Sequence, residues 1–222
     1  MPKETLMLIH PDKRDRVLHE AACLFAERGF SRADMAELAN RAKVAKGSLY
    51  NYFESKEDCY MFVCQDALDR YRQAVYDGLE QDWDIYRQVE HIFRSGAGFV
   101  LEHPEYIILY LNISSAGMDR FADQLSQKVE QQFARLLKEL LTRDMARGLV
   151  RADLDIAFAA HMLNSLYIFF LSSLVSRHHQ IRLQEYLELD MKAENSPVEE
   201  LLERTVKFLK TFLKPPEEEN HG

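Results

Sequence analysis

Apolar positions recur with a helical period along almost the whole chain, and no stretch sustains the alternation of a half-buried strand. Val17, Leu18, Ala21, Ala22 and Phe25 form one apolar stripe, with Asp12 placed to cap the helix. Gly29 stands where a helix end takes a left-handed residue. A second helix is predicted from about Asp34 to Arg41, burying Met35, Leu38 and Ala42, and a third from about Ala45 to Phe53. Ser55 is positioned to cap a long fourth helix beginning near Lys56, with Asp58 in its first turn. Further helices are predicted near 84–102, 104–113, 119–147, 155–179, 181–192 and 197–213. The segment from Met162 to Val175 is apolar nearly all round, interrupted by Asn164, Ser165, Ser172 and Ser173, so it must be covered on most sides. Pro215 and Pro216 end the last helix, and residues 215–222 are expected to be a disordered tail. The pattern predicts an all-α fold.

Composition narrows the function classes. No run of about 18 uninterrupted apolar residues occurs, so no spanning helix is expected, and the N-terminal segment lacks the marks of a secretory signal. The three cysteines, Cys23, Cys59 and Cys64, are odd in number and form no Cys-x-x-Cys unit. They read as reduced, packed thiols in a cytoplasmic protein. Net charge is −8, and residues 61–222 carry all of it, because residues 1–60 balance ten Lys/Arg with ten Asp/Glu. From Arg28 to Lys56, however, six basic residues (Arg28, Arg32, Arg41, Lys43, Lys46, Lys56) face three acids (Asp34, Glu37, Glu54). A small positive face on an acidic chain suits selective binding of nucleic acid better than indiscriminate coating.

The predicted third helix gives that face chemistry. At about 100° per residue, Leu49 and Phe53 share the inward side, while Gly47, Ser48 and Asn51 point outward, flanked by Tyr50 and Tyr52. The outward set contains no acid. Gly47 would allow close backbone approach, Ser48 and Asn51 can bond base edges, and the tyrosines can touch phosphates or thymine methyls. Lys46 in the first turn has the reach for a phosphate, and at Lys56 a cation coincides with a positive helix N-terminus. A three-helix packing unit without a ligand has the same spacing, so periodicity alone does not choose.

The run Leu24-Phe25-Ala26-Glu27-Arg28-Gly29-Phe30, then Leu38-Ala39, Val44, Lys46-Gly47-Ser48-Leu49-Tyr50, Tyr52-Phe53 and Ser55-Lys56-Glu57-Asp58 resembles the tetracycline-repressor (TetR) family of bacterial transcription regulators. The match covers roughly residues 13–60. It implies a helix-turn-helix DNA-binding domain over residues 1–55 and a helical effector-binding and dimerisation domain over 56–214. It further implies a homodimer on a palindromic double-stranded operator, acting as a repressor and released by a small effector. The expected DNA-binding residues are Lys43, Lys46, Gly47, Ser48, Tyr50, Asn51, Tyr52 and Lys56. Three positions depart from the family pattern: Ala33 where Thr is frequent, Lys43 where the turn often has Gly, and Ala45 where Ser or Thr is frequent. Ala33 and Ala45 would each forfeit a side-chain cap, ~1 kcal/mol apiece. Lys43 would meet a left-handed turn at a cost on the order of 1 kcal/mol.

The C-terminal part is rich in aromatics, and polar groups on otherwise apolar helices are candidates for orienting a mostly apolar or aromatic ligand. The expected set is Phe99, Tyr110, Asn112, Phe133, His161, Asn164 and Tyr167; each also reads as an ordinary core residue. Adjacent His178 and His179 diverge on a helix and cannot chelate as a pair, and His91, His103 and His161 fall on separate helices, so no metal and no cofactor are expected. The broadly apolar helices near 155–179 and 197–213 are the expected dimer surface, and no membrane partner is expected. An enzyme reading finds no Gly-rich phosphate loop, paired metal-ligand motif or nucleophile elbow. Control by a protein partner instead of a small ligand stays open on sequence alone.

Overall fold

A computed structural model describes residues 4–115, 117–192 and 197–216. Within them lie eleven helices and no strand: α1 (Glu4–Leu8), α2 (Pro11–Arg32), α3 (Met35–Arg41), α4 (Lys46–Tyr52), α5 (Lys56–Tyr76), α6 (Ile85–Glu102), α7 (Pro104–Ile113), α8 (Asp119–Ala146), α9 (Ile156–Val175), α10 (Arg177–Leu187) and α11 (Val198–Leu213). Residues 217–222 of the expected tail lie outside the described residues. The chain packs as two compact units, Met1–Gln73 with Glu102–Gln127, and Ala74–Leu101 with Lys128–Gly222. This packing division does not test the functional division after residue 55, which stays a proposal about what each part does.

The first unit is built around α2. His10, not Asp12, is its N-cap: the His10 Nδ1 accepts the Asp12 N–H at 3.3 Å and Pro11 occupies the first helical position, where its missing donor costs nothing. Gly29 takes φ 68° as expected, yet the chain resumes helical hydrogen bonding to Arg32, so the glycine makes a kink and not an end. Val17, Leu18, Ala21, Ala22, Leu24 and Phe25 are buried. Phe25 meets Tyr60 edge-on at 5.0 Å, and Phe121 lies 4.8 Å from both Phe30 and Tyr60, giving an aromatic centre worth about 0.5–1.5 kcal/mol per pair beyond burial. Leu109 and Ile113 of α7 complete this core. The short α1, absent from the sequence expectation, buries Leu6 completely and packs on α4. The Thr5 hydroxyl donates to the Asn51 carbonyl.

The second unit centres on α6, α8 and α9. Along α9 the buried positions Ala160, Leu163, Tyr167, Phe170, Leu171 and Leu174 follow the three-four spacing of one face. Phe93 of α6 packs on Tyr167 (4.8 Å) and Phe170 (5.2 Å). The α9 helix ends at Val175, short of the expected 179, because Ser176 turns to an extended backbone and starts α10. By length and composition α9 is one helix that could cross a membrane, which an uninterrupted-run criterion passes over; half of it is buried inside the chain, as for a core helix.

Asp144 organises one end of this unit. It is fully buried, accepts the Ile85 N–H at the start of α6 (2.6 Å), and takes Arg143 Nε at 2.7 Å and Arg147 Nη1 at 3.4 Å. Arg143 also donates to the Gln81 and Trp83 carbonyls (2.9 and 2.6 Å), so one ion pair fixes the connection into α6.

Candidate nucleic-acid interface

The helices α3 and α4 are joined by a tight turn in which Lys43 adopts φ 54°. Its N–H donates to the Asn40 carbonyl and the Val44 N–H to that of Ala39. Leu49 and Tyr52 of α4 and its C-cap Phe53 are anchored in the core at 0, 5 and 0% exposure. Lys46, Gly47, Tyr50 and Asn51 are exposed, with Ser48 half-buried beside them and Lys43 exposed in the turn. A β-carbon on Gly47 would meet nothing within 4 Å. Nothing in the fold therefore demands glycine there.

Two expectations change at this face. Tyr52 does not flank the outward surface: it lies next to Phe53 on the buried side, because it follows buried Leu49 by three residues and so shares its face of α4. Lys56 is half-buried, and its ammonium donates to the Ser31 and Ala33 carbonyls (3.2 and 3.1 Å) and lies 4.7 Å from the Phe30 ring centre. It fastens the end of α2 to the start of α5, with one of its three protons left over. The positive face is also thinner than the sequence implies. Arg41 is bidentate to Glu27 and pairs with Glu37 at 2.6 Å, and Arg28 approaches Glu37 at 3.9 Å. Arg41 is accordingly held more basic than usual by Glu27 and Glu37. Arg32, Lys43 and Lys46 are exposed, Arg32 with its Nε bonded to the Arg28 carbonyl.

In the second unit, Phe133, Asn164 and Tyr167 line one narrow cavity with Val89, Ile92, Phe93, Leu136, Leu137 and Leu163. Its volume of about 20 Å³ suffices for a single water, so a larger ligand requires these side chains to part. Asn164 Nδ2 donates to Glu130 Oε2 at 3.1 Å, and the buried Tyr167 hydroxyl donates to the Ile92 carbonyl at 3.1 Å. The other expected ligand residues are not brought there. Phe99 is half-buried on α6, Tyr110 and Asn112 belong to α7 in the first unit, and His161 is exposed. His161 misses because it follows inward Ala160 by one residue, about 100° round the helix.

Residues 17–61 match the family described as bacterial regulatory proteins, tetR family. The HTH-type transcriptional repressor KstR2 of Rhodococcus jostii (strain RHA1) is 30% identical over 159 residues, covering 68% of this chain and 74% of the relative. The chain belongs to the TetR family. Its fold agrees along nearly the full length with family members of low identity. The fatty acid degradation regulator FadR from Bacillus halodurans aligns with a TM-score of 0.71 at 18% identity, over 94% of this chain and 99% of that one. FadR from Bacillus subtilis, solved in complex with stearoyl-CoA, gives 0.70 at 16% identity over 90% and 98%. The all-α architecture, with an N-terminal helix-turn-helix domain and a helical C-terminal domain, is that of TetR regulators, and the protein is a transcriptional regulator rather than an enzyme.

As a TetR chain it handles its three unusual residues differently. Ala33 forfeits no cap, because Asp34 is the N-cap of α3 and accepts the Ala36 and Glu37 N–H groups (2.6 and 3.2 Å), which hold its carboxyl below the ordinary range. Ala45 does leave α4 without a side-chain cap, and Lys43 does occupy the left-handed turn. Ser55 caps α5 through the Asp58 N–H (3.1 Å), while the Asp58 carboxylate accepts the Glu54 N–H (3.1 Å), close to a capping box. Sequence reading missed Asp144 and Gly96. A lone acid in the final turn of an arginine-bearing helix and a glycine inside a helical stripe were the available signals.

Proposed function

We propose that this regulator binds a palindromic DNA operator as a homodimer, with α4 in the major groove, and that an apolar acyl-type ligand releases it. The observation that carries the reading is the division of α4: an outward set of Lys46, Gly47, Ser48, Tyr50 and Asn51 without an acid, on a helix anchored by three core residues. Lys43 and Lys46 would contact phosphates, and Ser48 and Asn51 would read base edges. Tyr52 is left out of this set, and Lys56 would bind a phosphate only alongside its structural bonds.

Exposed Phe158 (61%) and Phe169 on α9 and Phe208 (58%) on α11 support these two helices as the dimer surface, since such rings gain most when covered by a partner. Two helices from each subunit would form a four-helix bundle, and the two-fold axis would set the spacing of two α4 helices at roughly 34 Å. The apolar cavity between α6, α8 and α9, together with the stearoyl-CoA complex of the Bacillus subtilis relative, supports an acyl chain as the effector. Because α5, α6 and α8 each contribute residues to both packing units, they are the covalent routes by which opening the cavity would reach the DNA-binding helices. The coupling needed is about 1–3 kcal/mol.

The test is fluorescence anisotropy with a selected operator probe. Addition of stearoyl-CoA lowers operator affinity several-fold on this reading. An affinity unchanged by acyl-CoA thioesters of any chain length, with DNA binding intact, would leave control to a protein partner.

A further inference from the structure

A second chemically loaded site lies in the first unit, where α2 packs against α7. His19 and Cys23 are four residues apart on α2, so one turn brings both to one face, with His19 Nε2 3.7 Å from Cys23 Sγ. The start of α7 presents Glu105 to the same place. Its Oε1 stands 3.5 Å from His19 Nδ1 and 3.4 Å from Nδ1 of His103, the residue preceding α7. Glu105 is 7% exposed, and this oxygen has no hydrogen-bond partner. A buried carboxylate oxygen without a hydrogen bond is costly and calls for a positive neighbour.

We propose that His19, Cys23 and Glu105 bind a zinc-class divalent cation that pins α2 to α7. One donor atom from each of His19, Cys23 and Glu105 lies within 4.8 Å of the others. A tetrahedral zinc centre spaces its donors roughly 3.3–3.8 Å apart, so the trio, with a single His19 nitrogen facing the ion, needs to close by up to about 1.5 Å. The mixture of imidazole, thiol and carboxylate selects zinc over calcium or magnesium, which take oxygen donors. His19 is exposed and leaves the ion a route in, and the nearby Glu20 carboxylate favours a cation, while Glu27 is already paired with Arg41. Since α2 is the first long helix of the DNA-binding part, the ion would stiffen the support on which α4 is held.

The full-length protein, stripped with chelator and kept reduced, is titrated with Co²⁺ and then Zn²⁺. The site predicts one tightly held Co²⁺ per chain with a thiolate-to-cobalt charge-transfer band, displaced by Zn²⁺, and a rise in melting temperature with Zn²⁺. Cys59 and Cys64 are buried, so the band reports Cys23. Cys23→Ser abolishes the band, and Glu105→Gln weakens Zn²⁺ binding about tenfold or more. Circular dichroism checks both folds, and Cys23→Ser, at a half-exposed position, decides the matter if Glu105→Gln unfolds. No band in the wild type, or equal Zn²⁺ binding by Cys23→Ser, would overturn the site and leave Glu105 as a plain neighbour of His19 and His103.

Discussion

The Tyr167 hydroxyl occupies the space that a β-carbon on Gly96 would need, and it donates to the Ile92 carbonyl one turn earlier on α6. The glycine is required here by a neighbour's approach and not by its own backbone angles. Gly96→Ala should therefore destabilise by about 1–3 kcal/mol, despite alanine's better helix propensity. Tyr167→Phe alone should cost about 1 kcal/mol, and adding it to Gly96→Ala should recover part of the loss, because the clash is mainly with the hydroxyl. Urea denaturation of the three variants measures this; equal losses for Gly96→Ala with and without the hydroxyl would contradict it.

Asp144 gives a pH prediction. Burial alone would raise its carboxyl, but Arg143, the Ile85 N–H and Arg147 together hold it below its ordinary value. A depressed folded pKa contributes stability that is full above the unfolded value near 3.8 and is lost as pH falls through the folded value. Asp144→Asn should thus cost about 3 kcal/mol at neutral pH, and the gap to wild type should narrow below about pH 4. Thermal unfolding across that range would read it. A gap independent of pH would mean that packing, not charge, is lost.

Lys46 and Lys56 separate binding from structure. Lys46→Ala should leave the melting temperature within error and flatten the salt dependence of DNA binding by about one ion. Lys56→Ala should lower stability by about 1–2 kcal/mol, through lost bonds to Ser31 and Ala33, as well as weaken binding. Identical behaviour of the two in both assays would contradict this division.

Ala45 leaves the N-terminus of α4 uncapped, so Ala45→Ser should stabilise the protein by about 0.5–1 kcal/mol without altering operator sequence preference. Chemical denaturation and base-preference profiles of the variant check both halves.

The periodicity of apolar residues was enough to locate all the long helices, because each must bury one stripe whatever its partners are. It mistook details set by tertiary contacts. Whether Asp12 or His10 caps α2 depends on which side chain reaches back, and whether Tyr52 faces outward depends on where α4 meets the core. The α1 helix is too short for a period to show, and its helical state rests on Leu6 being buried. The outward set on α4 was legible through its lack of acids. The narrow cavity between α6, α8 and α9 was legible only in Phe133, Asn164 and Tyr167, since which helices face one another is not written in any one helix's pattern.

The most direct test of the regulator account is selection of random double-stranded DNA by the purified protein and by Asn51→Ala, at about 150 mM salt. The account predicts an inverted repeat enriched by the wild type, and an Asn51→Ala motif degenerate at one symmetric base position, where about 1–3 kcal/mol of discrimination is lost. Enrichment of no repeat by a folded protein, or a motif unchanged by Asn51→Ala, would contradict the assignment of α4 as a reading helix with Asn51 on its base-facing side.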